Sequence, residues 1–186
     1  MDHCPPDLYL IPDEYRKTAQ ALFPPDEKTP APGLDAAAGF AKALGVGTEY
    51  QRLMKVGKTT AELQEFLGHF QNNLDLLIQK TWVEEADESR KEKLQDEIPP
   101  FAALIEQGNY SQAVETFGAI LKELAYLFFG EDSALDDFTE YTFRMDRQMG
   151  LFWWYSSRLG RLKETGANDE ILRAVLLIGI SYLTNF

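Results

Sequence analysis

The sequence predicts an all-α fold: a single-domain helical bundle of about seven helices behind a Pro-rich N-terminal arm. Three observations predict it. Prolines 5, 6, 12, 24, 25, 30 and 32 crowd the front and only Pro99 and Pro100 follow, so nothing covalent interrupts helices elsewhere. Apolar residues recur at i, i+3, i+4 and i+7 in several long segments. No segment alternates apolar and polar residues between turn residues, as a half-buried strand would. The chain divides into an arm, residues 1–33, and a helical domain, residues 34–186, with a candidate sub-boundary near 84–99 hinged at Pro99-Pro100.

The arm holds one short helix. Pro12 suits its first turn, Asp13 and Glu14 suit its positive end, and Pro24-Pro25 ends it. Leu8, Tyr9, Leu10 and Leu22 are expected to bind this arm to the helical body. Leu34 to Leu44 is Ala-rich and stops at Gly45 and Gly47. Tyr50 to Val56 adds one or two turns. Thr59-Thr60-Ala61-Glu62 is a capping box. Behind it Leu63, Phe66, Leu67, Phe70, Leu74, Leu77 and Ile78 mark an amphipathic helix to about Trp82. Glu84 to Glu97 is almost wholly charged and reads as a solvated continuation of the helix, on propensity, or else as a mobile connector.

Pro99 is expected to open a short helix that Gly108 closes. Asn109 caps the next, Tyr110 to Phe129. Ser133 starts the longest helix, run to about Glu164, apolar on several sides and therefore expected at the centre. Gly166 ends it. Asn168 caps the last helix, whose Ile171, Leu172, Val175, Leu176, Leu177, Ile178, Ile180 and Leu183 should pack on the central one.

Hydrophobic residues at 45% and aromatics at 12% are those of a folded protein. The net charge of −12 argues against nucleic acid and anionic membranes, because phosphates reward Lys and Arg. Cys4 is the only cysteine, which excludes an intrachain disulfide and a cysteine-based zinc site. Met1 to Pro6 lacks the basic and apolar regions of a signal peptide. Ala174 to Phe186 is shorter than the roughly 20 apolar residues that cross a bilayer. A cytoplasmic location is expected.

The motifs carry little chemistry. Gly57-Lys58-Thr59 resembles the end of a phosphate-binding loop, but Arg52 stands where its first glycine belongs. Asp136-Asp137-Phe138-Thr139-Glu140 resembles the aspartate-rich box of helical isoprenoid synthases, which would imply Mg²⁺-diphosphate binding. The family's second acidic box is missing, and the same residues suit a helix first turn and a Glu140–Arg144 ion pair. Gln107 to Phe117 resembles the second half of a tetratricopeptide repeat and implies a helical hairpin over Pro99–Phe129; no second copy appears. Glu62, Glu65 and His69 share one side of a helix. The His spacing does not suit a di-iron bundle, and His69 reads as a partner of a nearby carboxylate.

Phe152-Trp153-Trp154-Tyr155 is the most unusual run. Successive helical residues point about 100° apart, so the helix is either enclosed or offers some of these rings to a partner. Gly150, Ser156, Ser157 and Gly160 would permit close approach. Arg144, Arg147, Arg158 and Arg161 concentrate scarce positive charge there. The expected function is a non-enzymatic interaction module, of adaptor, chaperone-like or immunity type. It would bind a protein partner, or a second copy of itself, through Trp153, Trp154, Tyr155, Tyr141, Glu140, Arg144 and Arg147. No catalytic residue, metal or cofactor is assigned. The alternative is a small-ligand binder or enzyme with a pocket between the 133–164 and 59–82 helices.

Overall fold

The computed structural model describes residues 11–24, 32–56, 60–80, 88–129, 146–164 and 166–184. Among them are eight helices and no strand: α1 (Asp13–Leu22), α2 (Leu34–Ala43), α3 (Gly47–Val56), α4 (Thr60–Gln79), α5 (Glu88–Glu106), α6 (Tyr110–Phe129), α7 (Arg147–Glu164) and α8 (Asp169–Thr184). The all-α expectation holds. None of these helices is long and apolar enough to cross a membrane. The Thr59 cap and Leu8, Tyr9 and Leu10 lie outside the described residues.

The helix ends follow from local chemistry. Pro12 stands at the N-cap of α1 with extended backbone, and Asp13 and Glu14 occupy its first turn. Three helices end in the same motif. After α2 the Val46 amide donates to Ala41 and the Gly45 amide to Lys42. After α5 the Asn109 amide donates to Leu104 and the Gly108 amide to Ile105, and after α7 the Ala167 amide donates to Leu162. The turn requires a left-handed residue, which Gly45 at φ 80° and Gly108 at φ 74° supply without a Cβ clash.

The proline pair is not the expected hinge. α5 runs from Glu88 through Pro99 and Pro100 to Glu106. Both prolines are exposed, so the carbonyls they leave without donors, four residues back at Gln95 and Asp96, fall on the wet side. The opposite side buries Leu94, Ile98, Phe101, Ala102 and Ile105. Burying several such side chains, at about 1.5–3 kcal/mol each, outweighs the prolines' penalty of roughly 3 kcal/mol each. The charged segment is helical from Glu88 and is fastened rather than merely solvated. Arg90 grips the Glu123 carboxylate with Nε at 2.9 Å and Nη2 at 3.2 Å. Its guanidinium lies 3.5 Å from the Tyr126 ring centroid. The α5–α6 hairpin forms, with Phe101 stacked on Phe117 at 5.0 Å.

The centre of the bundle is also displaced from its expected place. The last helix, α8, touches α2, α3, α4, α6 and α7, and it buries an almost unbroken run from Ala174 to Ser181. α7 packs mainly on α6. α8 takes the centre because it is apolar around its whole circumference, whereas α7 has exposed polar residues at both ends.

Candidate functional site

The site expected on the aromatic helix begins at Asp146. Its carboxylate accepts the amides of Gln148 at 2.9 Å and Met149 at 3.2 Å, which is how a side chain caps a helix start. The helix therefore starts at Arg147, and the expected continuous run from Ser133 is corrected: a residue whose side chain caps the amides ahead of it stands outside the helix. Glu140, Tyr141 and Arg144 lie outside the described residues.

Arg147 is exposed and ion-paired with Glu14 of α1. The four aromatics are spread around the helix, and each packs against other rings. Phe152 stacks on Tyr182 of α8 at 4.3 Å, and Trp153 meets Phe152 edge-on at 5.3 Å. Trp154 receives Phe23, from the end of α1, at 5.3 Å and 89°, with Phe40 of α2 at 6.4 Å. Tyr155 lies 5.8 Å from Phe40, and its hydroxyl donates to the Val175 carbonyl at 2.5 Å. Burial pushes that phenol far above the ordinary tyrosine range. It remains a neutral donor at ordinary pH.

Trp153 is 3% exposed and Trp154 1%. Both indoles are interior side chains, and neither presents a surface that a partner could reach without opening the fold. The helix is enclosed because Phe23 and Phe40 come in from the arm side while Tyr182 comes in from α8. Arg158 is buried beside them, 5.5 Å over the Trp154 ring, and donates to the Ser157 hydroxyl at 2.6 Å. Ser156 and Ser157 donate back to the carbonyls of Phe152 and Trp154, a local use of hydroxyls inside a helix.

A Cβ at Gly160 would meet nothing within 4 Å. The tight glycine is Gly179 of α8, where a Cβ would lie 2.5 Å from Phe117 and 2.7 Å from the Tyr155 hydroxyl. Sequence reasoning missed it, although a glycine inside an apolar helix, which costs about 1 kcal/mol against Ala, is a signal of close packing. His69 is exposed, with Glu65 at 4.0 Å. Among the described residues no group of His, Cys, Asp and Glu is arranged to hold a metal ion. α4 packs on α5, α8 and α3, while α7 packs on α6 and α8. Residues 133–145 of the helix that the alternative pocket would need lie outside the described residues. No protein-family model, curated protein or solved structure matches this chain.

Proposed function

We propose that the protein is a cytoplasmic helical interaction module. Its aromatic run is the support beneath the site, and its partner contacts lie on the exposed basic positions of α7. One observation carries this reading: α7 presents two exposed arginines, Arg147 and Arg161, in a chain of net charge −12. Arg147 moreover occupies the first position of α7, where the helix dipole disfavours a cation. Arg147 and Arg161 are both exposed and fourteen residues apart, so they share a side about 21 Å apart along the helix. That spacing suits a partner protein presenting carboxylates in two places. The buried rings between them hold the helix rigid, which lowers the entropic cost of binding. The single cysteine suits a reducing compartment.

The test is capture from native cell extract with wild type, Arg147→Glu and an Arg147→Glu/Arg161→Glu double variant, each checked for an unchanged melting temperature. The reading expects a protein captured by wild type, lost stepwise in the two variants and weakened by salt. A partner captured equally by all three, or none at all, would overturn it.

A further inference from the structure

Arg173 lies one turn into α8, and two carboxylates on its own helix are placed to pair with it: Asp169 four residues before and Glu170 three before, both exposed. It pairs with neither. The side chain turns to α3, where Nη1 donates to the Met54 sulfur at 3.4 Å. Its Nη2 is buried with no hydrogen-bond partner among the described residues. A thioether is a weak acceptor, so one buried nitrogen of a part-exposed guanidinium is left without compensation. That arrangement is costly unless an anion completes it.

The opposing surface is suited to do so. Tyr50 and Met54 are four residues apart on α3 and share a face; Tyr50 is buried at 3% exposure. The Arg173 charge reaches that phenol, opposing the upward push of burial on its ionisation. Met54 is half-buried, unbranched and easily rotated. We propose that Arg173 and Tyr50 form a carboxylate-binding site between α3 and α8, in which the ligand displaces Met54 and is gripped by the guanidinium fork with a hydrogen bond from the Tyr50 hydroxyl. Guanidinium and carboxylate match in a planar, two-bond geometry. The overall charge of −12 favours a singly charged ligand over phosphate, which carries more than one charge at neutral pH and is repelled more strongly. The site is independent of the reading of α7.

The experiment follows the side-chain Nε–Hε NMR signals of the ¹⁵N-labelled full chain, with Arg173 identified by its loss in Arg173→Met. Sodium acetate is titrated against sodium chloride at constant ionic strength, and inorganic phosphate separately. The expected result is a saturable shift of the Arg173 signal with acetate in the millimolar range. It should weaken several-fold in Tyr50→Phe and strengthen in Met54→Ala, which removes the competing side chain. Acetate should also raise the melting temperature of wild type and not of Arg173→Met. An absent or non-saturating shift, a shift shared by every arginine, or a response to phosphate alone would overturn the proposal. Should Arg173→Met not fold, the Tyr50→Phe and Met54→Ala titrations decide it.

Discussion

Replacing Gly179 by Ala should destabilise the protein, although alanine is the better helix former. A β-carbon there would lie 2.5 Å and 2.7 Å from two Phe117 ring carbons and 2.7 Å from the Tyr155 hydroxyl oxygen. Neither ring can yield easily. Phe117 is stacked on Phe101 at 5.0 Å, and Tyr155 is fully buried with its hydroxyl bonded to Val175. Overpacking of such a core costs about 1–3 kcal/mol. Displacing the Tyr155 hydrogen bond adds about 1 kcal/mol, and the gain in helix propensity returns about 1 kcal/mol. The net expectation is a loss of about 2 kcal/mol, or roughly 4–8 °C in melting temperature for a chain of this size. Urea unfolding at unchanged m-value reads it directly. Phe117→Leu, which clears the space, should recover at least half of the loss when combined with Gly179→Ala, so the two effects should be strongly non-additive. A Gly179→Ala protein as stable as wild type would refute the close packing of α6, α7 and α8 at this point.

Three further outcomes follow from the same geometry. Pro99→Ala and Pro100→Ala should each raise stability by about 1 kcal/mol or more, since each restores a helix donor at an exposed position; chemical denaturation checks it, and a loss would mean the helix breaks there. Asp146→Ala should cost about 1 kcal/mol through the loss of the α7 cap, and Asp146→Asn should retain most of it, measured in the same way. Burial raises the Tyr155 and Tyr182 phenols above their ordinary value, and at Tyr182 the nearby Asp146 charge adds to the rise. Both phenols ionise more readily in the unfolded chain, so their contribution is fully present below about pH 10 and is lost as pH rises past it. Urea midpoints between pH 8 and 11 should fall, and less steeply in Tyr182→Phe.

Much of the fold could be read from punctuation. Gly45, Gly108 and Gly166 mark three helix ends because only a residue free of a Cβ adopts the left-handed turn at low cost, and all three have positive φ. Asn168 caps α8 as expected, its side-chain oxygen accepting the Ile171 amide at 3.1 Å. What failed were judgements that depend on neighbours. Proline rules are local, and they missed that α5 has a wet side on which two prolines cost least. Apolar breadth identified both α7 and α8 as interior helices but could not rank them. The ranking depends on which helix the chain surrounds, and α2, α3, α4 and α6 all reach α8. The capping role of Asp146 is visible only once the chain direction before it is known. At the site, the aromatic run and Arg147 were found together in the sequence, but burial separates them: the rings are inside and the guanidinium is outside. Arg173 gave no signal, because an arginine one turn after Asp169 and Glu170 looks like an ordinary surface ion pair.

The Phe152–Tyr155 run is interior support and not a docking surface. Tryptophan fluorescence in a Trp82→Phe variant tests it most directly, since the remaining emission comes from Trp153 and Trp154 alone. Buried indoles should give blue-shifted emission that acrylamide quenches poorly and that moves to the red only on global unfolding. Red-shifted, readily quenched emission in the native protein would contradict it and return the two indoles to the surface.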